Sequence, residues 1–328
     1  MCSLSVGPDR NDDFDRRLGF VARKPEGSQG VFAPSSLTWR VNREAAIFLG
    51  AGRAILLQLA HPWVSTAIAQ HSTVIDDPVG RFHRTFTVVF SIVFGSLNQA
   101  LAAARRLHLR HSSVTGVLTA PGGRFPKGSE YSASNLPARQ WVYATLTDTA
   151  LTAYELVLPP LSMNERERYY EESKRIAALY GIPPETLPVD WAAFTAYCEA
   201  MWHSDTLAVT DCARVIAGQI LHQRNSWVPV PGWYRALTAH LLPPRLRREF
   251  DLTYAQAERR SAERAIRYIR GAYELMPYRL RYVGPYYEAV SRIAGSAEPD
   301  LMARWSNRFW IGQPAMPKGG ARSLRGYG

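Results

Sequence analysis

Cationic, hydroxyl and imidazole side chains cluster within one short part of the chain. Arg81, Arg84 and Thr85 are spaced so that a helix would carry them on one face, with Thr85 about 40° from Arg81. His108 and His111 follow, three residues apart, in a second predicted helix. Two cations and a hydroxyl opposite imidazoles are the groups that a buried, anionic, iron-containing cofactor requires. The sequence therefore directs the search for function to this region.

The meaning of the two arginines depends on their burial. On a surface helix this triplet would carry no information about function. Here the neighbouring positions include Phe82, Phe86 and Phe90, so we expect the arginines to be partly buried. A buried guanidinium requires an anion, and a carboxylate satisfies it with two parallel hydrogen bonds. Two alternatives stay open: an internal Asp or Glu partner, or the carboxylate of a bound ligand.

Histidines are concentrated in the same region. Five of them fall within 51 residues: His61, His71, His83, His108 and His111. A single histidine is more often a structural or surface residue than a metal ligand. The sequence contains neither the Glu-x-x-His motifs of a di-iron bundle nor a His-Glu-x-x-His motif. One axial histidine on a haem iron needs only an imidazole and an apolar slot, so it is the simplest metal chemistry that the pattern allows.

Capping signals predict the helices that position these side chains. Asp77 and Pro78 predict a helix from Pro78 to Phe94, and a capping box at Ser96 predicts the next helix, through His111. Their short connection makes the two helices neighbours. The other predicted elements are a helix over 43–60 opened by Asn42, helices over 138–158 and from Ser162 to about 181, one capped by Asp190, one from Asp205 or Thr206 toward Gln223, a loop over 225–232, and two or three helices up to about Ala294.

Glycines inside the predicted helix over 43–60 indicate a close approach to its backbone. Gly50 and Gly52 each make the helix about 1 kcal/mol less favourable than alanine would. Either another helix or a flat ligand would explain them.

The sequence as a whole predicts an all-α fold with a single large multi-helix domain. With 328 residues, of which 46% are apolar, it can bury a large core. We find no alternating strand pattern of useful length and no repeat of fixed period. The expected organisation is a partly irregular N-terminal extension over 1–34, a helical domain over 35–312 and a flexible C-terminal tail over 313–328.

Charge and cysteine content narrow the possible partners. The net charge is +11, and from Arg235 to the end there are 17 Lys and Arg against 8 Asp and Glu. These charges alternate in sign, as on a solvated helix face, so we do not expect nucleic-acid binding. Peripheral membrane contact through this basic C-terminal third is more consistent with the pattern. Three cysteines form no disulfide or zinc framework, and no secretory signal is recognisable, so we expect a cytoplasmic protein, with peripheral membrane association as the open alternative.

Short motifs in a characteristic order extend over roughly 41–294. They are GRAILLQLAHP (52–62), HS (71–72), DPVGRFHRT (77–85), VFG (93–95), HSSVTG (111–116), WVYATL (141–146), YE (154–155), PVDW (188–191) with Phe194, and LLPP (241–244). In this order and spacing they resemble the family of the latex-clearing rubber oxygenases and the fungal MpaB oxygenase.

The resemblance implies an all-helical fold around a central pocket for haem b, with O₂ as co-substrate. It assigns the axial iron ligand to His111, with His108 as the competing residue. The family's Arg-x-x-Lys-Thr motif falls on Arg81, Arg84 and Thr85, which are therefore the expected catalytic and cofactor-holding residues. Arg84 replaces a lysine that can occupy the distal iron position. Because a guanidinium is a very poor iron ligand, we expect a distal site that is open, filled by water or O₂, or capped by another residue.

Two further departures from the family bear on activity. The stretch Ser65-Thr66-Ala67 contains no acid, although the rubber oxygenases have a distal glutamate there. Tyr143 stands where many bacterial relatives have histidine, and only a pocket-lining role is expected for it. The implied function is a haem-dependent oxygenase, an oxidoreductase that acts with O₂ on an apolar substrate; isoprenoid and unsaturated compounds are candidates. The alternative is a non-catalytic haem-binding sensor or carrier.

Overall fold

Side-chain caps begin the helices that carry the candidate site. The computed structural model describes residues 11–23, 30–72, 77–222, 230–296 and 298–319. The helices are α1 (Asn11–Arg23), α2 (Leu37–Asn42), α3 (Ala51–Leu59), α4 (Pro62–His71), α5 (Pro78–Val93), α6 (Leu97–Ser112), α7 (Leu136–Val157), α8 (Met163–Leu179), α9 (Trp191–His203), α10 (Asp211–His222), α11 (Gly232–Leu241), α12 (Pro244–Glu249), α13 (Gln256–Leu275), α14 (Tyr278–Arg281), α15 (Gly284–Ile293) and α16 (Leu301–Ile311). The all-α prediction is confirmed.

The predicted boundaries of α5 and α6 are confirmed to within a residue. Asp77 Oδ1 accepts a hydrogen bond from Gly80 N at 2.8 Å, and Pro78 occupies the first turn, where its missing N–H is not needed. Ser96 and Gln99 form the predicted reciprocal capping box at the start of α6. The two helices pack against each other, as their short connection predicts. The caps at Ser162 and Asp190 are present as well.

The single helix predicted over 43–60 is wrong. Asn42 ends α2, a 3₁₀ helix covers Ala45–Gly50, and only then does α3 begin. The break lies at Glu44, whose backbone is extended and whose buried carboxylate accepts from Tyr273 Oη at 2.9 Å and lies 3.3 Å from Arg281 Nη2. Contacts with residues more than 200 positions away therefore override the local helical preference.

Two other predicted elements differ from the structure. The helix expected from Asp205 or Thr206 begins only at Asp211. In place of two or three helices before Ala294 there are five, α11–α15, because prolines at 243, 277 and 285 stand at the starts of three of them. Most of the loop predicted over 225–232 lies outside the described residues.

The close approach at Gly50 and Gly52 is helix packing. A Cβ at Gly50 would lie 2.5 Å from Thr149 Cγ2 on α7, and one at Gly52 would collide with Thr238 Oγ1 on α11. Of the two explanations that the sequence allowed, the approach of another helix is confirmed. These contacts fix the N-terminal end of α3 between α7 and α11.

Two large apolar clusters form most of the core. One is built mainly from α3, α7, α8, α9 and α10, and the other from α1, α5, α6, α15 and α16. A short antiparallel hairpin, β1 (Thr115–Val117) and β2 (Glu130–Ser132), follows α6 and pairs Gly116 with Tyr131. This hairpin leads the chain from the end of α6 into α7.

The surface carries several exposed apolar side chains near the C-terminal end. On α16, Leu301, Trp305 and Phe309 face outward and are 84%, 68% and 62% exposed. Within the described ranges, no single helix is both long and apolar enough to cross a membrane. The bent helix pair Ala45–Leu59 and Pro62–His71 is long and apolar enough for a membrane span only if its two parts are counted together.

Candidate functional site

Arg81 lies in the first turn of α5 and is largely enclosed by protein. Its Nη1 donates a hydrogen bond to Ser72 Oγ at 2.6 Å. In the part of the chain that the structure describes, it forms no ion pair with an acidic side chain. Burial, followed by the nearby Arg84 and Arg110, lowers the pKa of Arg81 to about 10. The guanidinium is thus charged at neutral pH in surroundings that disfavour its charge, and a bound anion would relieve that penalty.

Arg84 and Thr85 lie in different surroundings from Arg81. Arg84 Nη1 lies 3.1 Å from Asp77 Oδ2, so the acid that caps α5 also pairs with this arginine. Thr85 is exposed, and its hydroxyl donates to the backbone carbonyl of Arg81 at 3.0 Å. The internal-acid alternative therefore applies to Arg84, whereas the bound-ligand alternative stays open for Arg81.

His111 lies in the last turn of α6 and is half-buried. Burial lowers the pKa of its imidazole to about 4, and the positive charges of Arg139 and Arg110 lower it further. The ring is therefore neutral at pH 7 and carries a nitrogen lone pair. A neutral imidazole is the form that binds metal ions.

Contacts around the hairpin bring the ends of α4, α5 and α6 together. His71 Nε2 donates to Thr115 O at 3.1 Å, and Tyr131 Oη donates to Gln70 Oε1 at 2.5 Å. The end of α4 is thus fixed to the segment that follows His111, while Ser72, the next residue after α4, accepts the bond from Arg81. Arg110 lowers the pKa of both Arg81 and His111, so the two candidates share one electrostatic environment.

His108, the competing ligand, faces another part of the molecule. It is buried, at 8% exposure, and its ring is stacked on Phe14 of α1 with centroids 4.1 Å apart and an interplanar angle of 7°. His111 has no such stacking partner among the described rings. The geometry favours His111 for a ligand role, and the choice between the two histidines stays a prediction.

Aromatic side chains lie beside Arg81 along α5. Phe82 and Phe86 contact Phe48, with centroids 5.4 and 4.6 Å apart, and Phe48 stacks on Trp310 at 4.3 Å. Phe82 and Phe86 remain half-buried. Phe82 and Phe86 point about 100° and 140° around α5 from Arg81, so this aromatic surface lies on the neighbouring face of the helix.

Arg139 is a site residue that the sequence did not reveal. It is buried in the first turn of α7, beside His111, and donates to Ser134 O at 2.7 Å and to the carbonyls of Tyr180 and Gly181 at 3.3 and 3.2 Å. The sequence placed it at the start of a predicted helix, but its burial depends on carbonyls about 40 residues away. No local signal could have identified it.

The family comparison covers the cationic, hydroxyl and histidine residues of the candidate site. A family model described as ER-bound oxygenase mpaB/B'/Rubber oxygenase, catalytic domain, matches residues 39–271, which is more than half of the chain. The chain belongs to this family. The resemblance inferred from the sequence motifs is confirmed. No curated protein and no solved structure matches the chain.

One departure from the rubber oxygenases can now be placed in the fold. Ser65, in the stretch predicted to correspond to the distal glutamate of those enzymes, is fully buried in the first turn of α4, and its hydroxyl donates to Pro62 O at 3.1 Å. Its hydrogen is thus already used by the backbone of its own helix. This position in the present family member offers no carboxylate to hold or move a proton.

Proposed function

We propose that this chain is a haem b-dependent oxygenase that acts with O₂ on an apolar substrate. The observation that carries the proposal is the pairing of an enclosed Arg81, which has no carboxylate partner among the described residues, with the neutral imidazole of His111 in a member of an oxygenase family. Arg81 would bind an anion, and His111 would bind a metal centre. A haem provides both partners in a single molecule.

The residues present fit a haem in three respects. The guanidinium of Arg81 lies in surroundings that favour an anion, as a propionate would supply. The imidazole of His111 is held neutral, as iron ligation requires. The rings of Phe82 and Phe86, on the neighbouring face of α5 about 100° and 140° around the helix from Arg81, are half-buried and apolar, as a porphyrin face requires.

Each side chain has a distinct part in this proposal. His111 would hold the iron, and Arg81 would bind a propionate, with Arg84 adding positive charge nearby. A bound haem supplies the redox chemistry that activates O₂. Thr85 would donate a hydrogen bond to bound oxygen, but its hydroxyl donates to Arg81 O, so this role requires a χ1 rotation that breaks that bond.

The absence of a carboxylate at Ser65 limits which reaction is proposed. Since Ser65 provides no carboxylate, the proposal extends to oxygenation of an apolar substrate and not to the alkene cleavage of the rubber oxygenases. The same feature favours the second candidate, a haem-binding sensor or carrier without turnover. Peripheral membrane contact through the basic C-terminal third stays a prediction.

Two measurements test the proposal in sequence. The purified protein, supplemented with hemin, should show a Soret band with one haem per chain, and His111→Ala should abolish it. Oxygen uptake should then depend on an added isoprenoid or unsaturated lipid. A protein that stays colourless with hemin would refute both haem functions, whereas a Soret band without substrate-dependent uptake would favour the sensor or carrier.

A further inference from the structure

A cavity lies beside α7, and its lining begins at Gln140, one residue after Arg139. Its volume is about 260 Å³, and it is bounded by α7, by the segment 186–188 and by α9. Neither the arginines, Thr85 nor the two candidate histidine ligands line it, and Tyr143, for which the sequence predicts a pocket-lining role, does. The cavity is therefore a feature that the proposed function does not use.

The walls of this cavity are mainly apolar. Ala144, Leu187 and Phe194 are buried side chains that line it, and the ring of Tyr143 completes this side. The hydroxyl of Tyr143 is 2.5 Å from Ser173 Oγ on α8, so the polar end of the residue is already bonded and its ring faces the cavity as an apolar surface. Such walls favour the release of water and the binding of hydrocarbon.

Two polar groups at the cavity have unused hydrogen-bonding capacity. Gln140 Nε2 donates to Thr186 O at 3.0 Å and to Thr186 Oγ1 at 2.8 Å, while Gln140 Oε1 has no hydrogen-bond partner among the described residues. The Tyr197 hydroxyl likewise has none in the described part of the chain, and burial raises its pKa, so it is neutral. One acceptor and one hydroxyl are thus available to a ligand.

Charge is the third property that selects a ligand. None of the described side chains that line the cavity is ionised at neutral pH, so a carboxylate or ammonium group would lose its hydration without gaining an opposite charge. At the roughly 30 Å³ that a water molecule occupies in the liquid, the volume holds about nine non-hydrogen atoms. Size, walls and polar groups together point to one class of molecule.

We propose that this cavity binds a neutral, mainly apolar small molecule of about nine non-hydrogen atoms that carries one hydroxyl or carbonyl group. The hydroxyl of such a molecule donates to Gln140 Oε1 and accepts from Tyr197 Oη, while its hydrocarbon part lies against Phe194 and Leu187. The proposal concerns binding alone and holds whether or not the chain carries haem.

The first experiment is a calorimetric titration of the full chain with 1-octanol, which has nine non-hydrogen atoms. We expect saturable binding of one molecule per chain. Octanoate, which has a similar hydrocarbon chain and a negative charge, should bind at least tenfold more weakly. Absence of saturable octanol binding, or equal binding of octanoate, would overturn the proposal.

Variants assign the binding to this cavity. Ala144→Leu places three more carbons in the cavity and should weaken octanol binding at least tenfold. Tyr197→Phe removes one hydrogen bond and should weaken it about two- to tenfold. Glu185→Gln, an exposed neighbour of the cavity, is the matched control and should bind like the native chain.

The two variants are read together. If Ala144→Leu does not fold, Tyr197→Phe decides, and octanol binding that Tyr197→Phe leaves unchanged would place the ligand elsewhere and refute the proposal. The hemin-dependent Soret band of each variant should equal that of the native chain. A loss of octanol binding with an intact Soret band therefore separates this site from the proposed haem site.

Discussion

Replacing Arg81 by methionine should have opposite effects on the stability of the haem-free protein and on its affinity for hemin. Burial lowers the pKa of Arg81 to about 10, and at 1.36 kcal/mol per pKa unit this opposes the charged form by about 3 kcal/mol. Since the pKa is lower in the folded than in the unfolded state, the penalty is fully present at all pH values well below 10. Methionine removes this penalty and retains most of the side-chain volume.

The expected gain is smaller than the full penalty because one hydrogen bond is lost. The bond from Arg81 to Ser72 Oγ contributes about 1 kcal/mol. Arg81→Met should therefore raise the free energy of unfolding of the haem-free protein by about 1–2 kcal/mol. If Arg81 binds a propionate, the variant also loses a charge-assisted bond worth about 1.5–3 kcal/mol, so its hemin affinity should fall about 10- to 100-fold.

Urea unfolding of the haem-free protein and a hemin titration followed at the Soret band measure the two effects. Arg105→Met is the matched control because Arg105 is exposed on α6 and pairs with an exposed Asp15. It should change the free energy of unfolding by no more than about 0.5–1 kcal/mol and leave hemin affinity unchanged. An Arg81→Met protein that is less stable than the native one and binds hemin equally well would show that Arg81 has only a structural role.

Three other predictions concern haem ligation, packing and pH. His111→Ala should abolish haem retention, whereas His108→Ala should keep the Soret band and lose only packing energy; haem content per chain measures both. Gly52→Ala should destabilise the protein by about 1–3 kcal/mol because its methyl group would collide with a neighbouring helix. Gly271→Ala, in an open helical position, should stabilise the protein by up to about 1 kcal/mol. The midpoints of urea unfolding compare the two variants. Burial lowers the pKa of His61 to about 4, so the unfolded chain binds a proton at this residue more readily than the folded protein does. The free energy of unfolding should therefore fall by up to about 3 kcal/mol between pH 6.5 and 4. Urea unfolding of His61→Phe should show a flatter pH dependence over that range, and an unchanged slope would contradict the role given to His61.

The elements that could be predicted from the sequence are those stabilised by neighbouring residues. The caps at Asp77 and Ser96 satisfy backbone N–H groups three residues away, so their residue types alone locate the starts of α5 and α6. The shared face of Arg81 and Arg84 follows from the same local geometry. Local chemistry thus predicted the helices of the candidate site and the order of its cationic groups.

The features that could not be predicted depend on distant parts of the chain. The end of α2 near Glu44 depends on Tyr273, and the orientation of His108 depends on Phe14. The cavity beside α7 forms because the segment 186–188 packs near α7, and no periodic pattern in the sequence predicts that packing. Long-range packing therefore fixes the surroundings of His108, which its position in α6 alone could not show.

The two arginines of the family motif differ in what already neutralises them, and this difference can be tested. Asp77 both caps α5 and pairs with Arg84, so Asp77→Asn should keep the cap, because asparagine is an equally good N-cap residue, and remove only the ion pair. The pair is exposed, so the free energy of unfolding should fall by at most about 1 kcal/mol. The loss of the negative charge of Asp77 near the proposed anion site should then tighten hemin binding by up to about fivefold. Weaker hemin binding would instead mean that Asp77 holds Arg84 in the position from which it contacts the cofactor, and that both arginines of the motif bind the anionic edge.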